Sequence, residues 1–265
     1  TAPVGSYESL RAALDAGADS VYFGIGNLNM RSSAAVNFQQ EDLANIVRLC
    51  RESSAKAYLA LNTVIFDDEA EQVDGILKTA SDAGIDAIIA TDVSVLNRAR
   101  ELGLNVHMST QSNITNAAAV EFFSRWADVM VLSRELPIEK VRTLHENIIQ
   151  RNICGPSGNP VRLEAFAHGA LCMAVSGKCY LSLDNMNRSA NRGQCAQICR
   201  RSYLVKDLES GTELLIDNKY IMSPRDLCTI GFLDKLIDAG ISVLKIEGSG
   251  RPPEYVSAVV KVYSE

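Results

Sequence analysis

A chain of 265 residues, 47% of them hydrophobic, carries enough apolar material for one large core. Its formal net charge of −6 argues against a surface that is basic all over and built to sheathe nucleic acid. No apolar run is long enough to span a bilayer, no signal peptide opens the text, and seven cysteines, an odd count in a chain this size, predict a reducing cytoplasm rather than a disulfide framework.

Eight strand-like runs follow one another, near residues 2–4, 20–24, 57–63, 86–90, 105–110, 128–133, 163–168 and 242–247, with helical text between nearly all of them. One phrase recurs at three of the joints: DAGADSVYFG from Asp15, DAGIDAIIAT from Asp82 and DAGISVLKIEG from Asp238. In each, the glycine fits a left-handed helix stop and the apolar run after it fits a buried parallel strand. Eight alternating units predict an α/β chain folded as a (β/α)8 TIM-like barrel, with a doubly wound open sheet as the second choice. The seventh and eighth runs are about 75 residues apart, far more than a normal loop. Residues 169–222 therefore read as an insertion between strands 7 and 8, containing a hairpin, YLVKDLESGTELLI, that turns at Glu209-Ser210-Gly211. The text starts at Thr-Ala-Pro-Val and stops within a helical pattern at Tyr-Ser-Glu, so a single barrel domain of a longer chain with further C-terminal domains is expected.

Alternation along the strands names the residues that share a face. His107, Ser109 and Gln111 stand together, as do Glu164, Phe166 and His168, and Lys245 and Glu247, while Asn62 ends its own strand. With the branched apolar faces against the helices, the inward set is Asn62, His107, Ser109, Gln111, Glu164, His168, Lys245 and Glu247. That is too polar for a purely structural core, because each buried charge needs a partner. Lys245 and Glu164 read either as a buried ion pair that fixes packing or as site residues. His107, His168, Glu164, Gln111 and Asn62 are the candidate catalytic residues. Arg31, Arg134, Arg192 and Arg251 are the candidates for binding a carboxylate or phosphate. The cavity is expected at the strand C-terminal mouth, among Asn62, His107, Gln111, His168 and the insertion.

Four cysteines, Cys172, Cys179, Cys195 and Cys199, fall within 28 residues at the spacing C-x6-C-x15-C-x3-C, with Gly177 and Gly193 just ahead of two of them. Four thiolates in one loop suit an iron–sulfur cluster or a structural zinc, and spacing alone leaves both open. Cys50, Cys154 and Cys228 are isolated, Cys228 being the rival ligand because it is expected to begin a helix shortly after the insertion. Residues 172–201 also carry Lys178, Arg188, Arg192, Arg200 and Arg201 against the single acid Asp184, which suits either an anionic cluster or the phosphates of a substrate.

The run from Glu164 to Ser182 closely resembles the signature E-x-F-x-x-G-x-x-C-x-x-x-S-G-x-C-x-x-S of the peptidase U32 family. APVGS near the start, NMRSSAAVNF at 29–38, STQSNITNAAA at 109–119, NRGQCAQICR at 191–200 and LKIEGSGR at 244–251 are similar too, so the likeness spans nearly the whole chain. The family name records a protease or collagenase activity. Other members are oxygen-independent hydroxylases: tRNA uridine hydroxylation proteins, a 23S rRNA cytidine hydroxylase and paired ubiquinone-biosynthesis proteins. The resemblance implies a [4Fe-4S] cluster on Cys172, Cys179, Cys195 and Cys199, prephenate as a linked small-molecule oxygen donor, and rRNA or tRNA as partner. The ending G-x-C-A-Q-x-C-R resembles the rRNA cytidine branch most, whose members have extra domains; a partner subunit is a further expectation. One departure touches Arg251, which stands two positions beyond its place in the K-I-E-G-R of relatives.

Three functions follow. The first is a cytoplasmic RNA-base hydroxylase in which four thiolates leave no open iron, so the cluster moves electrons or holds structure; there is no C-x3-C-x2-C run of the radical S-adenosylmethionine kind. The second is a U32 peptidase or collagenase-type hydrolase, although G-x-S-x-G and H-E-x-x-H are both missing. The third is a zinc-stapled scaffold without catalysis.

Overall fold

Each helix, glycine stop and apolar run of the sequence becomes one helix followed by one parallel strand in the computed structural model, which describes residues 1–30, 32, 37–216, 223 and 225–265. The first four units are β1 (Ala2–Pro3) with α1 (Tyr7–Asp15), β2 (Ser20–Gly24) with α2 (Leu43–Glu52), β3 (Lys56–Leu61) with α3 (Ala70–Ala83), and β4 (Ala87–Ala90) with α4 (Val93–Glu101). Then come β5 (Val106–Met108) with α5 (Ala117–Phe123), β6 (Val129–Val131) with α6 (Ile138–Gln150), and β7 (Arg162–Gly169). The long segment after β7 holds α7 (Leu181–Met186) and the hairpin β8 (Tyr203–Lys206) and β9 (Glu213–Ile216), and returns through β10 (Leu227–Cys228). The chain ends with α8 (Leu233–Asp238), β11 (Ile241–Ile246) and α9 (Pro253–Ser264). At all three DAG phrases the glycine takes positive φ, 87° at Gly17, 76° at Gly84 and 100° at Gly240, the conformation that stops a helix without steric cost.

The strands form a curled, mostly parallel sheet in the order β1-β2-β3-β4-β5-β6-β7, with β11 parallel to β7 and β10 antiparallel to its end. Across the remaining seam, the Thr1 ammonium donates to the Leu244 carbonyl (2.8 Å) and the Ile246 amide donates to the Thr1 carbonyl (3.1 Å). Helices α1 and α9 pack together over that seam, and Ser264 Oγ donates to the Ala16 carbonyl (2.9 Å). Among the described residues, no helix is long and apolar enough to cross a membrane.

Alternation splits the strands into two faces. Leu59, Leu61, Ile88, Met108, Met130 and Leu163 join the helices in the main hydrophobic core. Tyr22, Tyr58, Ala87 and Ile89 form a separate cluster on the opposite, concave side. The hairpin of β8 and β9 pairs antiparallel from Tyr203↔Ile216 to Lys206↔Glu213, at the position read from sequence.

Candidate active site

On the concave side, beneath the strand C-terminal ends, lies a buried charged layer. Glu164 of β7 is fully buried (0% exposed) and accepts a hydrogen bond from Lys245 Nζ of β11 at 2.9 Å. Its other oxygen, Oε2, faces His107 Nδ1 of β5 at 3.7 Å, and neither atom has a hydrogen-bond partner. Burial alone would raise the Glu164 carboxyl, but the Lys245 ammonium and then His107 outweigh it and hold it down at about 2. Aromatic rings wall this layer: Lys245 Nζ lies 4.3 Å from the centroid of the Tyr22 ring, and the His107 ring lies 4.5 Å from that of Tyr58.

Above it opens a cavity of about 1160 Å³ whose wall includes Asn62, Ser109, Gln111, Arg134, Phe166, Lys245 and Glu247. Asn62 Nδ2 donates to Ser109 Oγ (3.3 Å) and to Gln111 Oε1 (3.4 Å), its Oδ1 accepts from the Met30 amide (3.2 Å), and Ser109 Oγ donates to Gln111 Oε1. Three side chains from the ends of β3 and β5 thus form one linked polar wall. His107 and Glu164 lie a layer below; Lys245, which the sequence leaves open between packing and a site role, is the member of the charged layer that reaches the cavity. Strand alternation alone places it inward.

All four clustered cysteines line the same cavity. Burial raises the Cys199 thiol above its ordinary value, Cys195 adds to this, Arg200 opposes it, and Cys172 and Cys179 add further. The other three thiols all act on Cys199, so the four share one locale. The Cys179 amide donates to Asn191 Oδ1 (3.2 Å) and the Ala196 amide to Ser182 Oγ (3.0 Å), joining the two halves of the segment. Cys50 is buried in α2, with its thiol pushed up by burial to about 11; neither it, Cys154 nor Cys228 lines the cavity. Among the described residues, no three histidine, cysteine, aspartate or glutamate side chains stand close enough to chelate a single metal ion.

Three expectations need correcting. His168 does not face the cavity. Lys245 pairs with Phe166 but Ile246 pairs with His168, so Ala167 is an extra residue in β7 and the alternation flips after it. His168 instead packs beside Tyr255 and Tyr263 of α9, ring centroids 6.0 and 5.7 Å away, where burial lowers its basicity. Arg192 is not at the cavity wall. It grips Glu69 with two nitrogens (2.7 and 2.5 Å), donates to the Val64 carbonyl (2.8 Å) and stacks over Phe66, so it pins the cysteine segment to the loop after β3. Cys228 sits on β10, not at a helix start. Arg251 does line the cavity but pairs with Asp226 (2.8 Å), which also takes Arg200 (3.3 Å). Arg134 lines it without any such pairing, and Arg31 lies outside the described residues.

Comparison with known proteins adds a second line of observation. The family model described as peptidase family U32 matches residues 5–265. A protein of Porphyromonas gingivalis named collagenase is 60% identical over 264 residues, covering 100% of this chain and 64% of the relative. The tRNA hydroxylation protein P1 of Bacillus subtilis is 34% identical over 99% of this chain and 61% of its own length. The 23S rRNA 5-hydroxycytidine C2501 synthase of Escherichia coli is likewise 34% identical, over 96% of this chain and 37% of its own length. The chain thus spans less than two thirds of these curated relatives.

Proposed function

The chain belongs to peptidase family U32, and from that premise we propose that it is the catalytic domain of an oxygen-independent hydroxylase acting on an RNA base, an rRNA cytidine or a tRNA uridine. We read the curled sheet, with its Thr1 seam, as a closed eight-stranded barrel whose C-terminal mouth receives the base. The observation that carries the reading is the convergence of Cys172, Cys179, Cys195 and Cys199 on one cavity with the Asn62–Ser109–Gln111 wall. Two relatives named for RNA hydroxylation support it across nearly all of this chain.

The donor set is four cysteine thiols around one cavity, which suits a [4Fe-4S] cluster, with a structural zinc as the alternative. When bound, the cluster supplies one-electron transfer. The chain's own residues do the rest. The amide and hydroxyl groups of Asn62, Ser109 and Gln111 orient the polar edge of the base, Lys245 presents a proton at the cavity floor, and buried Glu164 with His107 beneath it fixes that ammonium in place. Prephenate is our candidate oxygen donor.

A collagenase-type hydrolase is the second reading, favoured by the name of the 60% identical relative. Among the described residues, no serine or cysteine side chain hydrogen-bonds to a histidine ring, the arrangement an activated nucleophile uses. Anaerobic purification separates the readings. Absorbance near about 400 nm, together with loss of a hydroxylated nucleoside from RNA of cells carrying Cys172→Ala, is expected of the hydroxylase. Gelatin cleavage that survives loss of the absorbance would establish the hydrolase instead.

A further inference from the structure

Among the described residues, four aromatic side chains line the cavity: Tyr22, Phe23, Phe166 and Tyr180. Three of these rings are already met by another group. Lys245 Nζ lies 4.3 Å from the centroid of Tyr22, the Arg134 guanidinium carbon 4.3 Å from that of Phe166, and Phe38 meets Phe23 edge-on with centroids 5.5 Å apart. Tyr180 has no ring or cation against its face among the described residues and is 68% exposed. It stands at the N-terminal cap of α7, and Met173 and Val175 of the same cysteine-bearing segment also line the cavity while remaining exposed. Lys178, two residues before Tyr180, is exposed and pairs with no carboxylate among the described residues. Large apolar side chains gathered in water at the mouth of a cavity mark a surface that a ligand covers.

We propose that Tyr180 is a stacking platform for the unpaired nucleotide next to the target base, with Met173 and Val175 as its apolar footing and Lys178 at the adjoining phosphate. An open aromatic face accepts any base, because every base has a π-face of its own. A base inside a duplex is already stacked on both neighbours and gains nothing from the ring, so the platform selects single-stranded RNA over duplex. Charge points the same way: one unpaired cation beside one open ring matches one nucleotide, phosphate and base together. On the RNA reading of the cavity, on which this assignment rests, the target base therefore comes from a loop or an unfolded strand, and its neighbour stays at the rim.

Fluorescence anisotropy on the anaerobic, cluster-loaded protein tests this with a short labelled single-stranded RNA, the same RNA annealed to its complement, and a labelled gelatin peptide. The single strand is expected to bind more tightly than the duplex, and Tyr180→Ala to weaken it about 10-fold, the loss of one base stack. Tyr180→Phe keeps the ring and should bind like the parent, as should Leu208→Ala, an exposed apolar residue of the hairpin tip that does not line the cavity. Lys178→Gln is expected to flatten the log–log salt slope by about 0.7, one phosphate contact. An RNA with abasic sites on either side of the target should lose the same factor in the parent and nothing further in Tyr180→Ala, a readout that does not depend on how the variant folds. Unchanged single-strand affinity in Tyr180→Ala, or equal affinity of the parent for duplex and single strand, would overturn the platform and leave the RNA reading standing. A parent that binds the gelatin peptide through Tyr180 and binds no RNA would overturn both.

Discussion

Glu164 concentrates the electrostatics of the concave side in one residue. Its carboxyl is held at about 2 in the folded protein, below its ordinary value of 4.5, so the contribution is fully present above about pH 4.5 and is lost as pH falls toward 2. Acid unfolding followed by circular dichroism is expected to steepen across that window, and Glu164→Gln should remove the feature. The single substitution strands the Lys245 ammonium and is expected to destabilise by about 3–5 kcal/mol in urea melts, whereas Glu164→Leu with Lys245→Met should recover most of that. If the recovered double variant still lacks the hydroxylated nucleoside in cells, Lys245 serves chemistry as well as packing. This pair was legible from alternation alone. The same rule misplaced His168, because one extra residue at Ala167 inverts everything beyond it and no composition signal marks the bulge. Arg192 was misread for another reason: its partner Glu69 lies 123 residues away in sequence, a distance that local charge counting does not span.

Among the elements, the cysteine-bearing segment is held by a few long-range contacts. Gly193 has φ 79°, and a Cβ there would collide with the Asn29 carbonyl oxygen and Ser32. Gly177 has φ 73°, and its Cβ would come 2.8 Å from Gln111 Cγ. Gly193→Ala is therefore expected to loosen this segment by about 2 kcal/mol or more, seen as faster proteolysis between residues 172 and 201 with the melting of the parallel sheet unchanged. Arg192→Gln, which removes the clasp on Glu69 and the Val64 carbonyl, should open the same region and lower iron content after reconstitution. Positions of all eight parallel strands could be read beforehand because helix, glycine stop and apolar run is a local pattern. Docking of the segment could not be, because it depends on backbone approaches such as Gly193 to Asn29 that only the finished fold creates.

For the whole molecule, charge and substrate have to be reconciled. The net charge is −6, and Arg192, Arg200 and Arg251 are already paired with carboxylates. Among the described residues that line the cavity, Lys178 and Arg134 are the cations without a carboxylate partner, and Lys178 is exposed. If the chain acts on RNA as proposed, its binding is therefore expected to depend weakly on salt, with a log–log slope no steeper than about −2 for a single strand, measured by fluorescence anisotropy. A much steeper slope would mean that phosphate contacts dominate and that the base is not the main handle. On the proposed reading, the Asn62–Ser109–Gln111 wall would serve recognition through the base, its donors and acceptors suiting a pyrimidine edge.

The antiparallel pairing of β10 with the end of β7 has a bearing on assembly. Leu227 sits opposite Gly169 and Cys228 opposite His168, so the excursion ends where it began. A detour with coincident ends interrupts no other strand, and the surrounding architecture can form around it as though it were a short turn. Replacing residues 172–225 with a six-residue Gly-Ser tether should leave a cooperative thermal transition, and shedding that length of closed loop should favour the shortened chain by about 2 kcal/mol. If the cysteine arm holds the proposed cluster, the native chain can then be expected to mature in two stages, the scaffold first and the arm after it, with the arm's amides exchanging with deuterium until iron is supplied.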